Sequence, residues 1–157
     1  MLEKGQQAPA FSLANQNNER IELSAYSGRN YVVLYFYPKD DTPGCTIEAN
    51  EFTVLADDFA ALDAVVIGVS RDDCASHQGF IDKYGLRLEL LADSDGELCQ
   101  RYGVWQQKEK NGVKSMGIVR STFIINKEGV LVEVIYGVTP AGHARAMLDC
   151  IRSLAQK

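Results

Sequence analysis

Tyr31-Val32-Val33-Leu34-Tyr35-Phe36-Tyr37 runs into Pro38-Lys39-Asp40-Asp41-Thr42-Pro43-Gly44-Cys45-Thr46, and the reading of this stretch decides the fold. The first seven residues are apolar, aromatic or β-branched, and read as a buried strand. Pro38 ends it. A polar turn with two prolines and a glycine follows, and from Cys45 a helical pattern opens. Cys45 therefore sits at the carboxyl end of a strand, where open α/β sheets place their ligands. It also falls in the first turn of a helix, where unpaired N–H groups and the positive dipole end favour an anion. The thiolate is such an anion and is the reactive form of cysteine. The flanking Thr42-Pro43-Gly44 and Thr46 are not the packed apolar context of an inert buried cysteine.

Outward from this junction the chain alternates strand and helix patterns. Ile47, Ala49, Phe52, Leu55, Ala56, Phe59 and Leu62 recur at helical spacing and predict one amphipathic helix from Cys45 to about Leu62. Residues 64–69 are a continuous apolar run and predict a buried parallel strand, completing a right-handed crossover. A helix is expected over 74–84 behind Asp72-Asp73, then a strand over 88–91 and a short helix to about Tyr102. Residues 106–117 carry no core pattern and read as a polar loop. Residues 121–125 and 130–136 predict a hairpin. Thr139-Pro140 is expected to start the last helix, with Ala144, Met147, Leu148, Ile151 and Leu154 as its apolar stripe. Upstream, residues 11–14 and 20–23 alternate around Asn15-Gln16-Asn17-Asn18 and predict an N-terminal β-hairpin. No repeat or linker interrupts residues 1–157, so one domain is expected, with a mixed α/β sheet and helices on both faces.

The 157 residues are 46% apolar and 24% charged, which is ordinary for a soluble globular chain. Sixteen basic residues face twenty-one acidic ones, with no Lys/Arg cluster, so nucleic acid is not an expected partner. No apolar run approaches the ~20 residues of a membrane helix. Met1 to Gln6 show no apolar signal region, so a cytoplasmic location is expected. Cys45, Cys74, Cys99 and Cys150 include no C-x-x-C, and no Cys/His pair has finger-like spacing, which argues against structural zinc. They read as reduced thiols.

The pattern Pro38-x-x-x-Thr42-x-x-Cys45 resembles the active-site signature of peroxiredoxins. The text from Tyr37 to Ala49 is similar to the bacterioferritin-comigratory-protein (PrxQ) subfamily. The likeness continues through Ala8-Pro9-Ala10-Phe11, Gly68-Val69-Ser70, Tyr102-Gly103-Val104-Trp105 and Arg120-Ser121-Thr122-Phe123. It implies the thioredoxin-like fold and a thiol peroxidase that needs no metal, flavin or haem. Cys45 would attack the terminal oxygen of a hydroperoxide and become a sulfenic acid. Thr42 would turn its hydroxyl toward the sulfur and the peroxide, Pro38 would wall the pocket, and the N–H groups of Gly44 and Cys45 would donate to the peroxide. By sequence alone Arg120 reads as a solvated surface charge. The resemblance instead implies a guanidinium that favours the thiolate and stabilises the leaving oxygen. Glu48 is equally open to two roles, a carboxylate in the first helical turn or an orienter of Arg120. Trp105 and Phe36 read as hydrophobic walls or core. His77 and His143 have no recognisable triad partner and read as exposed.

Subfamily members that carry a second, resolving cysteine place it where this chain has Asn50 or Ile81. Cys74, expected to be exposed beside Asp72 and Asp73, and Cys99, of undetermined burial, are the remaining candidates. Cys150 lies on an apolar stripe and reads as inert core. A one-cysteine cycle is therefore expected, with thioredoxin, glutaredoxin or a low-molecular-weight thiol as reductant, in a monomer or weak homodimer. A thiol-disulfide oxidoreductase needs the second cysteine that Cys45-Thr46-Ile47-Glu48 lacks. A redox sensor or chaperone would react once and stop.

Overall fold

The computed structural model describes residues 1–156. Five strands form the central sheet in the order β5-β4-β3-β8-β9. Strand β3 (Tyr31–Phe36) is its middle, parallel to β4 (Ala64–Ser70) and antiparallel to β8 (Ser121–Ile125). Strand β5 (Glu89–Ala92) extends the parallel edge, and β9 (Leu131–Tyr136) the antiparallel one. This is the thioredoxin-like α/β arrangement with a mixed sheet. The N-terminal hairpin is present as β1 (Ser12–Ala14) and β2 (Arg20–Glu22). No helix among the described residues is long and apolar enough to cross a membrane.

Because successive strand residues point to opposite faces, β3 divides two cores. Val33, Tyr35 and Tyr37 face α1 (Pro43–Val54), α2 (Ala56–Ala61), α3 (Cys74–Tyr84) and α5 (His143–Ala155). Val32, Leu34 and Phe36 face α4 (Glu97–Arg101) and the N-terminal segment around Phe11. Tyr35 lies across its β4 partner Gly68: a Cβ there would meet Tyr35 Cζ at 2.9 Å and Leu90 Cδ2 at 2.8 Å. Only a glycine leaves space for that ring.

The expected helix over 45–62 is two helices, broken at Leu55, whose φ of −95° and ψ of 8° lie outside the helical region. The break lets Phe52 and Phe59 both reach the sheet, with ring centroids 5.8 Å apart. The inward stripe of α1 also differs from the apolar reading. Cys45, Glu48, Ala49 and Phe52 are buried, at i, i+3, i+4 and i+7, while Ile47 is 45% exposed. The last helix begins at His143 behind Gly142, later than Thr139-Pro140, because residues 139–142 make a turn closed by His143 N–H to Pro140 O.

Residues 106–117 are not a loop. Strand β6 (Trp105–Lys110) pairs antiparallel with β7 (Val113–Ile118). Asn111 and Gly112 both have positive φ, 53° and 77°, the requirement of a tight two-residue hairpin turn. The polar composition hid a ribbon that stands largely in solvent.

Candidate active site

Strand β3 delivers the turn at 38–42, and α1 starts directly after it with Pro43 in its first turn. Thr42 precedes the helix but does not cap it through its side chain. Its hydroxyl donates to Lys39 O at 2.8 Å rather than pointing its proton at the sulfur. The hydroxyl oxygen keeps its acceptor capacity for a peroxide O–H. Gly44 and Cys45 lie in the first turn, where N–H groups find no intrahelical acceptor; the first α1 bond runs from Thr46 N to Thr42 O. Cys45 is 2% exposed, so its sulfur lies just beneath the surface.

Arg120 arrives from the far side of the sequence. The register Phe36↔Ser121 places it beside the exit of β3, next to the turn that carries Cys45. Its Nη2 donates to Cys45 Sγ at 3.4 Å and its Nη1 to Glu48 Oε1 at 2.7 Å. One planar fork thus holds sulfur and carboxylate together. Gly44 makes the approach possible, since a Cβ there would stand 3.1 Å from Arg120 Nη2 and 3.3 Å from Pro140 Cγ. Burial pulls the guanidinium toward neutrality, but Glu48 and the Cys45 sulfur outweigh it and hold the cation. Burial pushes the Glu48 carboxyl up to about 7, against the pull of Arg120. Glu48 Oε2 and Tyr35 Oη are buried without a hydrogen-bond partner. Glu48 thus meets Arg120 directly through Oε1.

Both histidines are buried, contrary to the exposed reading. His143 Nε2 lies 2.8 Å from Thr122 Oγ1, and burial, then Arg120, lowers its pKa to about 4. His77 is paired with Asp40 inside the turn region. The sequence held a signal for each. His77 leads the stripe His77, Phe80, Ile81 and Tyr84, and His143 precedes Met147 by four. Pro38 is exposed and lines an open cleft with Arg71, Trp105, Lys108 and Met116. Trp105 lies beneath Arg71, whose Cζ is 4.7 Å from the ring centroid. Phe36 is core.

The other cysteines are not brought to Cys45 alike. Cys99 is fully buried in the core on the opposite face of the sheet, and burial, then Asp93, pushes its thiol well above the ordinary range. Cys74 starts α3 and is half-buried rather than exposed. Cys150 is half-buried against the Cys45-side core rather than inside it. Asn50 and Ile81 are both half-buried.

The family model described as AhpC/TSA family matches residues 4–134. Peroxiredoxin Bcp of Bacillus subtilis is 43% identical over 156 residues, covering 99% of both chains. A crystal structure of a cysteine-to-serine mutant of Xylella fastidiosa PrxQ superposes with a TM-score of 0.93 at 36% identity, covering 99% of this chain and 98% of that one. The Xanthomonas campestris bacterioferritin comigratory protein, studied for alkyl peroxide reduction, superposes with a TM-score of 0.87 at 38% identity, covering 92% of each. With fold, sequence and solved relatives in agreement, the chain belongs to the AhpC/TSA family as a PrxQ/Bcp peroxiredoxin, a thiol peroxidase that reduces peroxides through a peroxidatic cysteine.

Proposed function

We propose that Cys45 is the peroxidatic cysteine and that it is regenerated by external thiols in a one-cysteine cycle. The observation that carries this reading is the Arg120 fork, with Cys45 Sγ at 3.4 Å and Glu48 Oε1 at 2.7 Å. A fixed cation beside the sulfur meets the charge that develops on the departing oxygen. The thiolate attacks the terminal oxygen of R–O–O–H. An S–O bond forms, the O–O bond breaks, and the alkoxide leaves as an alcohol after taking a proton. Thr42 orients the peroxide by accepting its hydrogen, the Gly44 and Cys45 N–H groups donate to its oxygens, and Pro38 walls the entry. In the cleft beside Pro38, Trp105, Met116 and Ile118 supply an apolar surface for an alkyl hydroperoxide among Arg71, Lys108 and Lys110.

The Cys45 sulfenic acid then condenses with one external thiol, releasing water, and a second thiol frees Cys45 as a mixed disulfide is exchanged. Asn50 and Ile81 at the usual resolving positions support this cycle, as does a Cys99 walled off by the sheet. Thioredoxin, glutaredoxin or a small thiol can serve, and a reducing compartment such as the cytoplasm supplies them. Among the described residues the exposed large apolar side chains are Met1, Ile47, Val54, Val113 and Met116, spread over separate elements, which supports a monomer or weak homodimer.

The test is to oxidise the reduced protein with one equivalent of peroxide, digest without reductant and map sulfur species by mass spectrometry. Sulfenic acid or an external-thiol adduct at Cys45 is expected, and Cys45→Ser should consume no peroxide. Normal consumption by Cys45→Ser would place the chemistry elsewhere. A quantitative disulfide from Cys45 to Cys74 would replace the one-cysteine cycle with a two-cysteine one.

A further inference from the structure

The turn between β3 and α1 is bolted to a helix that carries none of the proposed catalytic groups. Asp40 is 7% exposed, and its carboxylate gathers three partners. Tyr37 Oη donates to Oδ1 at 2.6 Å, Ser76 Oγ donates to Oδ2 at 2.8 Å, and His77 Nδ1 lies 2.8 Å from Oδ2. The Asp40 backbone N–H donates to Asp72 Oδ2 at 2.9 Å. His77 is fully buried, and its Nε2 lies 2.9 Å from Leu91 O on β5. A carbonyl only accepts, so Nε2 carries a proton. Nδ1 and Asp40 Oδ2 face each other at hydrogen-bond distance, so the two ring nitrogens join the turn to β5. Both Asp40 carboxylate oxygens, Asp72 Oδ2 and both His77 ring nitrogens are engaged in these bonds, so the cluster ties the turn to α3 and β5.

We propose that His77 is a positioning residue for peroxide reduction: through Asp40 it holds the 38–42 turn, and with it Thr42 and the first turn of α1, in the shape that oxidises Cys45. The inference rests on Cys45 being the peroxidatic residue. Its physical basis is that a short polar turn has no core of its own. Without fixed partners its residues gain backbone entropy by moving. Asp41, the next residue, holds a left-handed φ of 59°, a conformation that needs support from its surroundings. That support also comes from α3, as Lys83 Nζ and Tyr84 Oη bind the Asp41 carboxylate. Both ends of α3 therefore grip the turn, and His77 supplies the buried grip. A displacement of about 1 Å at reacting groups can cost ~100-fold in rate. A small peroxide needs the turn closed. A bulkier thiol attacking a sulfur that is 2% exposed needs it open. Loosening the tie should therefore slow oxidation without slowing reduction, a split that general destabilisation does not produce.

Two substitutions separate the arms of the ring. In His77→Asn the amide nitrogen stands where Nδ1 was and keeps the Asp40 bond. In His77→Gln it stands where Nε2 was and keeps only the Leu91 bond. Single-turnover oxidation by hydrogen peroxide and reduction of the sulfenic acid by dithiothreitol are measured for each, beside melting temperature. His77→Asn should oxidise within about twofold of the parent and His77→Gln about tenfold or more slower, at similar melting temperatures, with neither slower in the reduction step. Asp40→Ala, which cuts the same tie near the surface, should show the same oxidation defect, and combining it with His77→Gln should add nothing further. Parental oxidation in His77→Gln or Asp40→Ala, equal slowing of both half-reactions, or additive losses in the double variant would overturn the proposal. If the position-77 variants do not fold, Asp40→Ala alone decides between these outcomes. Cys45→Ser, run alongside, keeps the two ideas apart: if it still consumes peroxide the site itself is wrong, and if it is inert while the ties prove silent only the positioning role falls.

Discussion

Gly44 shows how one missing side chain lets a guanidinium reach a sulfur. The Arg120 fork reaches Cys45 across the space a Cβ would fill, with Nη2 only 3.1 Å from that point and Pro140 Cγ behind it at 3.3 Å. Gly44→Ala should therefore push the guanidinium off the sulfur and slow single-turnover oxidation about tenfold, the scale of losing one donor to a developing charge. Arg120→Lys should cost a similar factor, since an ammonium keeps the charge but cannot hold Cys45 and Glu48 in one plane. Gly79→Ala is the control. Its Cβ meets nothing within 4 Å on α3, so the rate should be unchanged and the stability equal or higher by up to about 1 kcal/mol. Stopped-flow oxidation of the three variants checks this, and a parental rate in both Gly44→Ala and Arg120→Lys would remove Arg120 from the oxidation step.

The β6–β7 hairpin depends on its turn at the scale of an element. Asn111 and Gly112 both adopt positive φ, and Gly112 at 77° has open space around it, so its requirement is conformational rather than steric. Gly112→Val should cost ~1–2 kcal/mol of local stability, the penalty of forcing a side chain into the left-handed region. The ribbon buries little of itself, so that loss should appear as faster amide exchange across 105–118 with almost no change in global melting temperature. Trp105 and Met116 form part of the cleft beside Pro38, so oxidation by a bulky alkyl hydroperoxide should suffer more than oxidation by hydrogen peroxide. Equal exchange rates in parent and variant would show that strand pairing, not the turn, holds the hairpin.

Across the whole molecule, two buried groups near the site push stability in opposite directions with pH. Glu48 rises from 4.5 to about 7 on folding, chiefly by burial. Between those values the folded chain binds more protons than the unfolded one, and stability falls as pH rises. His143 drops from 6.5 to about 4, chiefly by burial and then by Arg120. There the unfolded chain binds more protons, and stability rises with pH. The two slopes offset each other over most of pH 4.5–6.5, so the parent should melt nearly independently of pH in that window as far as these groups decide it. Glu48→Gln should unmask the His143 slope and lose stability on acidification. His143→Gln, which keeps an amide near Thr122, should unmask the Glu48 slope and lose on the order of 3 kcal/mol between pH 4.5 and 7. Melting curves in urea at half-unit pH steps test this, and parallel pH profiles for the two variants would contradict it.

What the sequence determined by itself is local. The strand into Pro38, the Cys45 helix start, the 64–69 strand, the 74–84 helix and the 121–136 hairpin are each specified by residues a few positions apart, whose alternation or helical spacing is physical whatever lies beyond them. The cysteine, with Thr42 and Gly44 in the same turn, was legible for that reason. Asn111-Gly112 carried the same kind of local signal, but the polar composition around it read as a loop. Tertiary structure alone decided the rest. Arg120 reads as a solvated charge until the pairing of β3 with β8 sets it beside a sulfur 75 residues away. Glu48, His77 and His143 are polar residues on helix faces that the sheet happens to cover, and they stay there because Arg120, Asp40 and Thr122 meet them. Helical spacing says which residues share a face. Which face is buried, and whether a buried charge finds its partner, depends on elements far apart in the chain packing together.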